Sequence, residues 1–105
     1  MIYVDDRGHM LADTDDELKA MAEQLGADPF WSQPGLWHLT TLQTFAVEAR
    51  GARQITGIQM MHMLTVALHT GEMPLPEFAE KRYLEVAENV RQMQELAIMR
   101  PAGIG

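Results

Sequence analysis

The chain contains no cysteine. Disulfides, thiolate metal sites and cysteine nucleophiles are therefore excluded. Basic residues are scarce: 8 Lys and Arg stand against 15 Asp and Glu, for a formal net charge of -7. Phosphate backbones select for Lys and Arg, so direct nucleic-acid binding is disfavoured. No apolar run approaches the roughly 20 residues needed to span a bilayer, and no membrane partner is expected. The opening Met1–Asp6 lacks the basic start and apolar core of a signal peptide, so a cytoplasmic location is expected. Gly51, Gly57 and Gly71 are isolated helix ends or starts, and no Gly-rich phosphate loop is present. Ser32, Thr40 and Thr41 have no nucleophile context.

What is present is a 47% hydrophobic chain of 105 residues, enough for one modest core. Acids crowd its first segment: Asp5, Asp6, Asp13, Asp15, Asp16, Glu17, Glu23 and Asp28, against Arg7 and Lys19. Such a face can repel nucleic acid, bind a cation, or dock on a basic protein surface.

Three segments announce helices by the same device. Thr14-x-x-Glu17, Thr40-x-x-Gln43 and Thr56-x-x-Gln59 match the capping box, in which the hydroxyl and the longer side chain satisfy each other's backbone N–H groups. The first helix should run from about Asp15 to Leu25, with Leu18, Met21, Ala22 and Leu25 as its apolar stripe and Gly26 as terminator. The second, about Thr41 to Arg50, should bury Leu42, Phe45, Ala46 and Ala49. The third runs from Thr56 to near Gly71 and is apolar nearly all round, which suits a central helix or an oligomer interface. The fourth follows Pro74 and Pro76 and should reach about Met99 before Arg100-Pro101 stops it. Its Ala79, Tyr83, Val86, Val90, Met93 and Ala97 repeat with heptad spacing. Such a seam packs on its own domain or on the same helix of a second copy. A homodimer is expected, with Tyr83, Val86, Val90 and Met93 at the interface.

Ile2–Val4 and His9–Ala12 read as strands, with Asp6-Arg7-Gly8 as their turn, hence a hairpin. Arg53–Ile55 is a third short strand. The segment Asp28–His38, with two prolines and a glycine, reads as a loop whose Trp31 and Trp37 cover the core or anchor a partner. The expected fold class is α+β: an N-terminal hairpin plus a third strand, covered by about four helices. Residues 1–71 form the core, 72–100 the long C-terminal helix, and 101–105 a frayed tail.

Tyr3-Val4-Asp5-Asp6, then His9-Met10-Leu11-Ala12-Asp13-Thr14 leading into Asp16-Glu17-Leu18, resembles an uncharacterised family of short phage and bacterial proteins. These open YVDD, continue H-hydrophobic-x-ADT-x-x-EL, and form a domain of unknown function. Trp31 and Gly51-Ala52-Arg53-Gln54-Ile55-Thr56 are similar to later segments of the family, and the likeness spans roughly residues 1–64. The chain departs from the pattern in a shorter stretch between Asp6 and His9. It also has Trp37-His38-Leu39 in place of the family's His-Tyr-Asp. The resemblance implies a phage or prophage setting, with a host-cell cytoplasmic location, and no specific chemistry.

Two functional readings follow. The first is a non-enzymatic accessory protein that binds a host or viral protein through Asp15, Asp16, Glu17, Trp31 and Trp37. In its sharper form it needs no cofactor and inhibits a nucleic-acid-binding host defence factor, whose basic channel attracts an acidic mimic. The second is a small metal-dependent hydrolase or nuclease, with Asp5, Asp6, His9 and Asp13 holding Mg²⁺ or Mn²⁺ through oxygen and imidazole ligands. Turn and cap preferences account for the same acids without chemistry. His62 and His69 lie seven apart, too far for one metal, and read as core or interface residues. His38 can join His9 if the loop returns to the hairpin.

Overall fold

The computed structural model describes residues 1–26 and 35–99. Their order is β1 (Ile2–Val4), β2 (His9–Ala12), α1 (Asp15–Leu25), β3 (Trp37–His38), α2 (Thr41–Ala49), β4 (Arg53–Gln54), α3 (Gly57–Thr70), a 3-10 turn (Pro76–Phe78) and α4 (Ala79–Met99). The fold is α+β. One mixed sheet has the order β3-β2-β1-β4. β1 pairs antiparallel with β2, Val4 opposite Met10, and parallel with β4, Tyr3 beside Arg53.

Alternation along the two central strands sorts side chains to opposite faces. Ile2, Val4, Met10 and Ala12 meet Leu18 and Ala22 of α1 and Val47 of α2. Tyr3 and Leu11 point the other way, to Leu36, Ile55, Met60, Met63 and Ala79. The sheet is thus sandwiched between α1/α2 and α3/α4. Burial on both faces explains why β1 is apolar throughout. A fully buried side chain such as Val4 or Met10 contributes roughly 1.5–3 kcal/mol.

The three Thr caps form. Thr40 with Gln43 and Thr56 with Gln59 make complete boxes. At α1, Thr14 accepts from the Glu17 N–H at 3.2 Å, but the Glu17 carboxylate pairs with the Met1 ammonium. Gly26 and Gly71, both left-handed, close α1 and α3.

Three expectations need correction. Trp37–His38 is not loop: it pairs with β2, Met10 opposite Trp37 and His9 opposite His38, as a fourth strand. The hydrogen bond from the Leu39 N–H to the Gly8 carbonyl (2.7 Å) anchors it, a tertiary contact that local sequence does not encode. The expected third strand is two residues long, since Ile55 leaves the ladder for the core, although its N–H still donates to the Val4 carbonyl at 2.8 Å. The inner face of α2 is also rotated from the apolar reading. Val47 is fully buried, whereas Leu42 (81% exposed) and Phe45 (65%) face solvent. The box at Thr40/Gln43, and the bond from the Gln43 amide to the Leu25 carbonyl, turn that side of α2 inward. The remainder of Asp28–His38 and the tail 101–105 lie outside the described residues.

Tyr3 is 1% exposed, and its hydroxyl donates to Asp13 Oδ1 at 2.9 Å. Burial, then the Asp13 hydrogen bond, pushes its pKa up to about 12 from 10. The folded chain therefore keeps the phenol proton that the unfolded chain releases above pH 10. Stability is expected to fall between pH 10 and 12, by roughly 2–3 kcal/mol for two pKa units. Urea melts at pH 8 and 11 check this. Tyr3→Phe should be weaker than wild type at pH 8 by about 1 kcal/mol and should lose less on the way to pH 11.

Candidate functional site

The β1–β2 turn closes on Asp5. The strand ends there, and the chain must reverse within Asp6-Arg7-Gly8, Gly8 taking φ 81°. Asp5 is 2% exposed, yet its carboxylate is fully engaged. Oδ1 accepts from the N–H groups of Arg7 (2.9 Å) and His9 (2.8 Å). Oδ2 lies 2.7 Å from His9 Nδ1. Burial on its own would raise the Asp5 pKa. The hydrogen bonds from the His9 backbone, the His9 ring and the Arg7 backbone together outweigh it and hold the carboxyl below its ordinary value. Opposite an ionised Asp5, the 2.7 Å contact requires the proton on His9 Nδ1, which leaves Nε2 outside the hydrogen bonds of the turn. The His38 ring stands edge-on to His9, centroids 4.6 Å apart, brought there by β3.

The dyad opens on a cavity of about 560 Å³ at the ends of β1 and β4, beside the start of α3. Leu36, Ile58, Met60, Met61 and Leu64 form its apolar walls. Asp5, Asp6, Arg7 and His9 form its polar end. This size is in the range of small-molecule pockets. A smaller hollow of about 200 Å³ lies across the same turn, between Asp6 and Arg7 on one side and Phe45 of α2 on the other.

The four residues suggested for a metal do not gather. Asp5 and His9 meet, Asp6 is exposed on the turn, and Asp13 sits at the opposite end of the hairpin. The antiparallel register forces this: Ile2 opposes Ala12, so Asp13 falls beside Met1, where it binds the terminal ammonium (3.3 Å) and the Tyr3 hydroxyl. Among the described residues no three His, Asp or Glu side chains are grouped to hold a metal ion.

The other candidates lie on separate surfaces. Asp15 and Asp16 are exposed in the first turn of α1, where the helix dipole favours them, and Glu17 is half-buried. Trp37 is half-buried and packs against the α1/α2 side of the core. Trp31 lies outside the described residues. Along the heptad seam, Ala79 and Val86 are buried, and Tyr83 and Val90 half-buried, against the chain's own α3. Tyr83 stacks on His62 with ring centroids 4.4 Å apart. His69 is exposed and bonds only its own helix, at the Thr65 carbonyl.

Beyond Val90 the seam has no cover. α3 has 14 residues and α4 has 21, so α4 outruns its neighbour by roughly 10 Å at 1.5 Å per residue. Every residue from Arg91 to Ala97 is exposed, including Met93 (70%) and Leu96 (66%). Arg91 holds Glu88 and Glu95 on the outer side of this arm. Sequence reasoning found the seam but not the point where its intramolecular cover stops. The unequal lengths of the two helices, one bounded by Thr56 and Gly71 and the other by Pro76 and Pro101, carried that signal.

The sequence model of one protein family, described as a protein of unknown function (DUF4031), matches residues 2–67. No curated protein and no solved structure matches the chain. No helix among the described residues is long and apolar enough to cross a membrane.

Proposed function

The chain belongs to the DUF4031 family of unknown function, which brings no activity with it, and we propose that it is a non-enzymatic interaction protein that pairs through the free arm of α4. The carrying observation is that arm. An isolated helix shorter than about 12 residues is marginal in water, and tertiary burial of an apolar face normally sustains it. Here the face presented by Met93, Leu96 and Ala97 continues the stripe that α3 covers earlier, and nothing in the same chain covers it among the described residues. A second copy offers the matching stripe. The interface therefore moves along the helix: Met93 stays in it, with Leu96 and Ala97, while Tyr83, Val86 and Val90 serve the chain's own core.

Sedimentation velocity across a wide concentration range tests this. Wild type is expected to be dimeric. Met93→Glu with Leu96→Glu should be monomeric at an unchanged melting temperature at low concentration, because both residues are exposed in the single chain. A monomeric wild type at the highest concentration would remove the reading.

The finer reading is an accessory protein of phage type whose acidic α1 docks on a basic partner, including a nucleic-acid-binding host factor. Its support is the net charge of -7 and the exposed Asp15 and Asp16. Complementary charge acts mainly on encounter rate and partner choice. Asp15→Lys with Asp16→Lys should reduce capture of a basic partner from host lysate by tenfold or more in low salt, on the order of 1.4 kcal/mol, and leave the dimer intact. Equal capture by wild type and variant would exclude α1 as the docking face.

A further inference from the structure

The cavity beside the Asp5–His9 dyad plays no part in that pairing. We propose that it is a binding site for a small, uncharged, largely apolar molecule carrying one hydroxyl, such as a phenol or an alcohol. Its volume of about 560 Å³ holds a one- or two-ring molecule, and five apolar side chains wall it. Met60 and Met61 are among them, and thioethers adapt to flat rings at little cost. The polar end decides the head group. Asp5 is no ligand itself, because both oxygens are bonded within the turn. Its effect is to fix the proton of the neutral His9 ring on Nδ1 and so present Nε2 as an acceptor. Among the described residues Nε2 has no partner, and His9 lines the cavity.

An acceptor at the end of an apolar chamber selects a donor. A carboxylate head would bring its charge toward Asp5 and Asp6, with only Arg7 to offset them. An ammonium head would surrender its hydration inside apolar walls and find no free buried carboxylate. A neutral hydroxyl meets neither cost and makes one hydrogen bond, about 1–1.5 kcal/mol or roughly tenfold in affinity.

The test uses the full chain with methyl-labelled methionine, titrated separately with phenol, toluene and benzoate. Phenol is expected to shift the Met60 and Met61 methyl signals saturably, about tenfold more tightly than toluene, and benzoate to shift them least. His9→Phe should bind phenol and toluene equally. His9→Gln, which restores an acceptor, should recover part of the preference. Absence of saturable shifts with phenol overturns the proposal. So does benzoate binding as tightly as phenol, or a phenol preference that survives in His9→Phe. If His9→Phe does not fold, the comparison of the three probes on wild type still decides. Because Met93 and Leu96 are remote from the cavity in sequence and absent from its lining, the dimer can fail its own test while this site stands, and the reverse.

Discussion

Asp5→Ala is expected to lower stability by about 3 kcal/mol, and the melting temperature by more than about 10 °C. One buried carboxylate organises the whole β1–β2 turn, and hydrogen bonds to a charged acceptor contribute about 1.5–3 kcal/mol each, though not additively. Removing it strands the Arg7 and His9 N–H groups and frees the His9 ring. Asp5→Asn separates these effects. Its amide oxygen still accepts from both N–H groups, but its NH₂ faces Nδ1, so His9 must carry its proton on Nε2. A smaller loss, about 1 kcal/mol, is expected, together with a tautomer change visible in imidazole ¹⁵N shifts. The pH dependence has a definite sign. Because the folded Asp5 carboxyl lies below its unfolded value of 3.8, its contribution is complete above that value and is lost as pH falls through the folded pKa. The gap between wild type and Asp5→Asn should therefore narrow on acidification below pH 4. A gap independent of pH would mean that Asp5 acts through packing alone.

Gly8→Ala is the second large effect, expected at about 2–4 kcal/mol. Gly8 holds φ at 81°, where a Cβ costs roughly 1–2 kcal/mol. The added carbon would also stand 2.6 Å from the Leu39 carbonyl oxygen, a backbone atom with little freedom to yield. Either the turn rebuilds, or Leu39 retreats and loses its 2.7 Å bond to the Gly8 carbonyl. The second outcome also peels β3 from β2 and withdraws His38 from His9. The variant should therefore show lower stability in chemical melts and altered His9 and His38 ring signals. Melting within a few degrees of wild type would show that the turn remodels freely.

The helices were readable because their ends are local. Thr40/Gln43 and Thr56/Gln59 mark starts, and Gly26 and Gly71 mark stops, through bonds that span four residues. The hairpin was readable for the same reason. β3 was not, because the residues it joins, Met10 with Trp37 and His9 with His38, are far apart in the chain, and its own segment is rich in turn formers. The buried side of α2 was misread because Leu42 and Phe45 outweigh Val47 in size, while the direction in which the helix docks is set by its contacts with the sheet and with Leu25. At the site, the pairing of Asp5 with His9 follows from a tight turn. Excluding Asp13 needed the register, and placing His38 needed β3. Neither Ile58 nor Met61 carried any sign in the sequence of lining a chamber, because the chamber exists only once α3 lies across the ends of β1 and β4.

The outer strands of the sheet have a consequence for how the protein behaves at high concentration. Each edge is two residues long. At one edge, Arg53 pairs with Glu77, and the Gln54 amide donates to Glu48 at 2.7 Å, so charge and side-chain bonding occupy the border. Fibril growth and strand-addition recognition both require a long ladder of vacant backbone groups on a sheet border. A border this short offers no such template. Concentrated solutions should therefore stay free of amyloid dye binding.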